Sequence, residues 1–234
     1  MSGHSKWATT KRAKSAVDAK RGNLFTKLSR NITIAARSGA DPDSNFKLRI
    51  AIDKARDFNM PKDNIERAVK RASGVGGENN IENLLYEAYG PEGVAILIEA
   101  ITDNKNRSVA NLKHVLAKYD GSLAGSGSVL WMFDIRGEIT LRKEKLNEQE
   151  ELQLIEMGVV DIVSDDTVKL LTEINDLERI KNDLQAGGFD IASSEIVYVP
   201  KNKVEVQDSE KLIKLLDELD EMDDVNNLYI NADI

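Results

Sequence analysis

Apolar positions along the chain recur with two different periods, and these divide it into segments. From Leu24 the spacing is helical: Leu24, Leu28, Ile32 and Ala35 fall three and four residues apart, and Gly39 follows as a stop. Lys20, Lys27 and Arg30 fall away from that stripe. Ser44 is the expected N-cap of a second helix that turns Leu48, Ala51, Ile52 and Ala55 inward. Asn59-Met60-Pro61 ends it, because proline disfavours a helical residue before it and starts a new helix well. A third helix places Ile65, Ala68, Val69 and Ala72 on one face and stops near Gly74. The segment before about Lys11 offers little apolar surface beyond Trp7, so it is expected to be a mobile arm.

Past a Val75–Asn80 linker the period changes. Two strand-like runs, 84–89 and 94–101, flank a Gly90-Pro91-Glu92-Gly93 turn. Asn104 is placed to cap a helix reaching about Tyr119, and a Gly121–Ser128 loop leads to a strand at 129–133. From Gly137 the order is strand 138–142, helix 148–157, strand 159–163, strand 167–172, helix 176–186 and strand 195–199. That βαββαβ series is the ferredoxin-like arrangement and closes on itself. The segment before it lacks a partner helix and strand, which the tail supplies at 209–220 and 225–230. The expected architecture is α+β with three domains. Residues 1–79 form a basic helical domain, 80–134 plus 207–234 an α/β domain, and 135–206 a ferredoxin-like domain inserted in it. The 234-residue length is compatible with that number.

Charge sharpens the picture. The net charge of −8 conceals a split: residues 1–74 carry 17 Lys/Arg against 7 Asp/Glu, whereas 75–234 carry 15 against 33. Residues 1–37 hold nine basic side chains and one acid, Asp18, and a one-signed block of this length suits a module facing a polyanion, tied to an acidic body that limits indiscriminate adhesion. With no cysteine and only His4 and His114, thiolate metal sites, disulfides, cysteine nucleophiles and histidine-rich metal centres are excluded or disfavoured. The longest apolar run, 94–98, is far short of a membrane span, and no apolar signal segment opens the chain; a cytosolic location is expected.

The catalytic vocabulary is thin. No phosphate-cradling GxxxxGK[ST] loop or GxSxG elbow occurs, and Gly125-Ser126-Gly127-Ser128 precedes a strand rather than linking strand to helix. The acidic run Asp217, Glu218, Asp220, Glu221, Asp223, Asp224 fits no calcium loop and reads as a solvated helix end. Neither a cofactor, a metal nor catalytic residues are expected; a metal-assisted enzyme using Asp103 and Asp134 is the outlying alternative. The basic segment is more informative. Lys6, Lys11, Arg12, Lys14, Lys20 and Arg21 are interleaved with Ser5, Thr9, Thr10 and Ser15, residue types that bind phosphate oxygens. Lys27 and Arg30 continue the series, and Arg67, Lys70 and Arg71 form a second group on the third helix. Trp7 either stacks on an unpaired base or anchors the arm to the helical domain.

Several of these stretches resemble one known family. Gly3-His4-Ser5-Lys6-Trp7, Asp18-Ala19-Lys20-Arg21-Gly22 with Leu24-Phe25-Thr26-Lys27-Leu28, and Asn59-Met60-Pro61-Lys62-Asp63 are similar to motifs of the YebC/PmpR family. Tyr86–Ala95, Thr102–Arg107 and Gly125–Val129 continue the likeness in the same order. Thr9-Thr10, Ala88 and Glu92 depart from it, the last two replacing glycines. The resemblance implies a three-domain α/β protein with a ferredoxin-like insertion and a non-enzymatic role in gene expression. Bacterial members are described as probable DNA-binding transcriptional regulators, and other members act in translation on the ribosome. The expected function is therefore a cytosolic transcriptional regulator whose basic domain grips duplex DNA phosphates. The alternative is a translation factor reaching ribosomal RNA through the same arm. In either case the acidic domains would offer surfaces to a protein partner.

Overall fold

The computed structural model describes residues 18–72, 81–164 and 167–233. It divides into two compact units, one formed by residues 133–201 and the other by the chain on either side of them.

The larger unit begins with three helices, α1 (Asp18–Ala36), α2 (Phe46–Asp57) and α3 (Lys62–Ala72). Their stripes meet in a small core of Leu28, Ile32, Leu48, Ile52, Ala55, Met60, Ile65 and Ala68. The cap of α2 is Asn45, one residue past the expected Ser44. A carboxamide both accepts and donates: Asn45 Oδ1 takes the Leu48 N–H at 3.1 Å, while Nδ2 donates to the carbonyls of Ala35 (2.8 Å) and Gly39 (2.6 Å). One side chain thus closes the end of α1 and the start of α2 with two donated bonds and one accepted, whereas a hydroxyl has a single proton to donate. Ser44 bonds back to Asp41 instead. Asn59, at φ 58°, turns the chain out of α2 so that Pro61 can open α3.

The rest of this unit is built around a four-stranded sheet whose strands lie in the order β3 (Ser122–Leu123), β1 (Glu82–Tyr89), β2 (Ala95–Thr102) and β9 (Val225–Ile230). Strands β1 (Glu82–Tyr89) and β2 (Ala95–Thr102) form an antiparallel hairpin. Then come α4 (Lys105–Lys118), capped by the Asn104 side chain as expected, and the short β3 (Ser122–Leu123). The chain returns after the insertion as β8 (Val204–Glu205), α7 (Ser209–Glu221), β9 (Val225–Ile230) and β10 (Ala232–Asp233). Helices α4 and α7 pack Leu112, Leu116, Leu212, Leu215, Leu216 and Leu219 against Ile96, Ile98, Leu228 and Ile230 of the sheet. The tail therefore completes the domain that the chain began more than a hundred residues earlier, as its periodicity predicted.

The smaller unit has strands β4 (Phe133–Leu141), β5 (Asp161–Ser164), β6 (Val168–Glu173) and β7 (Ile191–Pro200), with α5 (Glu148–Glu156) and α6 (Leu177–Ala186). Its sheet runs β5-β6-β4-β7 with every neighbouring pair antiparallel, which is the ferredoxin-like topology. Ile139, Leu141, Leu154, Leu170, Ile180 and Leu184 fill its core.

The expected strand at 129–133 does not form. Residues Leu130–Met132 make a 3-10 turn, and β4 begins only at Phe133. The cause lies in β1. Glu87, buried within the fold, accepts the backbone N–H groups of Gly127 (2.6 Å), Val129 (2.6 Å) and Leu130 (2.9 Å). Amides held by a carboxylate cannot join a strand ladder. Burial pushes the Glu87 carboxyl up, but these three donors more than offset it and leave its pKa below the usual carboxylate value.

Candidate nucleic-acid interface

The basic residues singled out in the sequence separate into three groups. Lys6, Trp7, Lys11, Arg12 and Lys14 lie outside the described residues, as do the side chains of Lys20 and Arg21. Lys27 and Arg30 belong to an internal clamp. Arg67, Lys70 and Arg71 are exposed along the C-terminal half of α3.

The clamp gives Lys27 and Arg30 internal partners that local pattern does not reveal. Lys27 is 8% exposed, and its ammonium donates to both the carbonyl and the carboxylate of Asp220. Arg30 Nη1 donates to the Asp223 carbonyl and, at 2.9 Å, to Asp224 Oδ1. Asn31 adds a carboxamide bond to Asn226 at 2.9 Å. These residues do lie off the apolar stripe of their own helix, as its periodicity requires. What local pattern omits is that the end of α7 and the turn into β9 cover that polar face. The acidic run read as a solvated helix end is thus, in part, a counter-charge for α1.

Asp224 holds the centre of the clamp. Its Oδ2 accepts from Ser108 Oγ at 2.7 Å and Thr102 Oγ1 at 3.3 Å, and Arg107 approaches both oxygens at 3.4 Å. Asn104 N–H donates to Thr102 Oγ1 at 3.0 Å, so the cap of α4 joins the same network. A buried carboxylate is tolerable only when its lone pairs are filled, and here four side chains fill them. Arg107 also pairs with Asp103 at 2.7 Å, a hydrogen bond that holds the Asp103 carboxyl below its ordinary value and raises the guanidinium. Asp134, the other carboxylate of the metal-enzyme alternative, belongs to the smaller unit and pairs with Arg136 and Lys201. Among the described residues no group of three or more His, Asp or Glu side chains is arranged to hold a metal ion.

Beside the clamp, a cleft of about 360 Å³ opens between α1, α3 and the α/β domain. Phe25, Met60 and Ile81 supply apolar surface; Arg30, Arg67, Arg71, Asn64 and Asp103 are among its polar walls. Arg67 is braced by hydrogen bonds to the Asp63 carbonyl and the Asn64 side chain. Arg71 and Lys70 form no ion pair among the described residues. Phe25, Asn64 and Asp103 were not picked out as nucleic-acid ligands by the sequence reading. The signal for Phe25 and Asp103 was membership in the Leu24–Leu28 and Thr102–Arg107 stretches that carried the family resemblance, and Asn64 lies one residue past the Asn59–Asp63 stretch. The N-terminal half of α3 is less suited to an anion, since Asp63 and Glu66 flank Lys62 there and Lys62 pairs with Glu66 at 3.7 Å.

The glycine substituted by Glu92 also finds its explanation. Glu92 sits in the left-handed region at φ 56°, ψ 19°, where glycine is easiest. Its carboxylate accepts the backbone N–H groups of Gln207 (2.9 Å) and Asp208 (2.8 Å), at the entrance to α7. Those bonds hold its pKa below the usual value. The turn is therefore bonded internally through its acid.

Topology and charge together define a class: three-domain α+β proteins in which a basic helical module is clamped to an acidic α/β domain that carries a ferredoxin-like insertion. Comparison with known proteins gives the family. Residues 5–75 match the TACO1/YebC protein N-terminal domain, and residues 81–232 match the TACO1/YebC second and third domain. The chain belongs to the TACO1/YebC family. Proteins named "Probable transcriptional regulatory protein" from Desulfosudis oleivorans and Natranaerobius thermophilus are 46% and 45% identical to it, each over 100% of this chain and 97% of the relative. A crystal structure of a conserved hypothetical protein from Aquifex aeolicus superposes with a TM-score of 0.86 at 38% identity, covering 97% of this chain and 96% of that one.

Proposed function

We propose that this protein is a non-enzymatic regulator of gene expression acting in the cytoplasm, and that residues 1–79 bind nucleic acid, with duplex DNA as the target of a transcriptional regulator. The observation that carries the reading is the separation of paired from unpaired cations. Lys27 and Arg30 are engaged by Asp220 and Asp224, whereas Lys70 and Arg71 are exposed, with no ion pair among the described residues. Arg67 stands beside them, held by hydrogen bonds rather than by a carboxylate. Surface cations without internal partners are the ones available to phosphates. By charge pattern in the sequence, Lys6, Lys11, Arg12, Lys14, Lys20 and Arg21 belong to the same basic domain. The names of the relatives support a regulatory role and, with it, a non-enzymatic one.

A second reading, a translation factor that reaches ribosomal RNA, is favoured by α3. Helices that read a duplex usually present their N-terminal residues to the bases, and here that end carries Asp63 and Glu66. The test is binding of the full chain to labelled duplex DNA and to purified ribosomes across a salt titration. The control is the Lys11→Glu/Arg12→Glu/Lys14→Glu variant. Sequence-selective duplex binding that the variant loses supports the first reading; tight ribosome binding beside weak, unselective duplex binding supports the second. If the variant binds both as the parent does, the arm is not the contact.

A further inference from the structure

We propose that the cleft between α1, α3 and the α/β domain is a seat for one unpaired nucleotide of a nucleic-acid strand. This rests on the reading of the basic module as a nucleic-acid binder, and it goes further by naming the form of ligand and the residues that take it. Three features of the cleft argue for a nucleotide rather than a bare phosphate track.

The first is its apolar surface. Phe25, Met60 and Ile81 line the cleft, and Phe25 is only half-buried. A phosphate backbone passing over the module makes no use of the half-buried Phe25 ring, behind which Met60 and Ile81, each 6% exposed, form a packed apolar floor. An unstacked base does, since every base has a π-face for an aromatic to meet.

The second is the placement of positive charge at the rim. Arg67 and Arg71 are four residues apart on one face of α3, both line the cleft and both are exposed. Arg67 is held in position by the Asp63 carbonyl and Asn64, so less side-chain freedom is lost on binding. Arg30 enters from the opposite wall. Its Nη1 is fixed by Asp223 and Asp224, while its Nε and Nη2 make no hydrogen bond among the described residues. The clamp therefore orients a guanidinium toward the cleft instead of merely neutralising it.

The third is Asp103, the one carboxylate in the lining of the cleft among the described residues. Asp103 lines the cleft and its pKa is held down by Arg107, so it stays an acceptor near neutral pH. A carboxylate in a phosphate-binding wall repels its ligand. Against the edge of a base it accepts from an exocyclic amino group, the same chemistry by which acidic side chains take cytosine N4. Asn64, half-buried on α3, offers its Nδ2 donor beside it, its Oδ1 being engaged by Arg67. The volume, about 360 Å³, falls in the range of pockets that enclose small ligands, and a paired base within a duplex cannot enter it.

The experiment compares the full chain with Arg71→Glu and Phe25→Leu variants. Probes are a fluorescein-labelled six-nucleotide RNA, the DNA strand of the same sequence, and a duplex of the same length. Far-ultraviolet circular dichroism and a thermal melt check that the variants fold. Arg71→Glu is expected to weaken single-strand binding by about tenfold and duplex binding by no more than about threefold. Phe25→Leu should weaken single-strand binding about fivefold while leaving its salt dependence unchanged, because it removes stacking and no charge. Crosslinking a 4-thiouridine-bearing strand to the unaltered chain, with the product mapped to the peptide containing Phe25 or Met60, supports the proposal without any variant. Equal affinity for the RNA and DNA strands assigns recognition to base and phosphate; tighter RNA binding adds the ribose hydroxyl, and both agree with the proposal. If duplex and single strand weaken in parallel in Arg71→Glu, with Phe25→Leu unchanged, the cleft seats no base and this inference falls while the nucleic-acid reading stands. If the unaltered chain binds none of the three probes, that underlying reading falls with it.

Discussion

Removing the carboxylate at the centre of the clamp, by Asp224→Ala, gives a sharp test of how the helical module is attached. The Asp224 side chain is 7% exposed and that of Arg30 20%, so the 2.9 Å pair between them is largely shielded from water. Deleting one partner of such a pair costs roughly 3–5 kcal/mol, because the other charge is left without compensation. Ser108 and Thr102 soften the loss, since the Ser108 proton released from Asp224 can pass to the Asn104 carbonyl at 3.1 Å while Thr102 donates to Ser108 across 2.8 Å. The expected cost is therefore about 3 kcal/mol, or on the order of 10 °C in the melting temperature for a unit of this size. Arg30→Met should cost less, about 2 kcal/mol, because Asp224 keeps Arg107, Ser108 and Thr102. The two changes should be coupled: the double variant is expected to fall short of the sum by about 1–2 kcal/mol. Asp53→Asn, which breaks an exposed pair with Arg56, serves as control and should change stability by under about 0.5 kcal/mol. Urea denaturation of the parent and the four variants at pH 7 measures all of this. A cost below about 1 kcal/mol for Asp224→Ala, or strict additivity, would refute the view that this carboxylate anchors α1.

Further predictions follow from the other internal carboxylates and from packing. Glu87→Gln should destabilise by about 2–4 kcal/mol, because an amide has one acceptor oxygen and presents N–H groups where three backbone donors converge. Because the folded-state pKa of Glu87 is lowered, its contribution is complete above the unfolded carboxyl value and disappears as pH falls through the folded one. The gap between parent and variant in urea midpoint should accordingly shrink toward acid pH; a gap that widens there would be the wrong sign. Glu92→Ala should lower the melting temperature more than Glu92→Gly, since both lose the bonds to Gln207 and Asp208 but only glycine relieves the left-handed backbone. Gly137→Ala would place a Cβ 2.4 Å from Thr172 Oγ1 and 2.7 Å from Leu177 Cδ1, so it should cost about 1–3 kcal/mol by thermal melt, and an unchanged melt would mean that β4 and α6 pack more loosely than described.

Local pattern determined a great deal in this protein. Periods of three to four and of two placed the helices and the longer strands but not the two-residue β3, β8 and β10, because burying one face of an element requires that spacing whatever its neighbours are. The βαββαβ order was enough to identify the ferredoxin-like unit, and the unbalanced strands before it pointed to completion by the tail. The uneven distribution of charge was legible by counting, as was the family likeness in the Gly3–Trp7, Asn59–Asp63 and Thr102–Arg107 stretches. Asn45 rather than Ser44 as the cap of α2 was a near miss, decided by which side chain could serve two helix ends at once.

Only the tertiary structure decided which charges were already engaged. Lys27 and Arg30 look like their basic neighbours in sequence, but their partners Asp220 and Asp224 lie 193 and 194 positions away. No periodicity encodes a contact across that distance. The same is true of Glu87, whose hold on residues 127–130 turned an expected strand into a 3-10 turn, and of Phe25 and Asp103, which folding brings to one cleft. Periodicity reports the face a side chain presents to its own helix or strand. Whether that face then meets water, a counter-charge or a ligand depends on which other segment the fold lays over it.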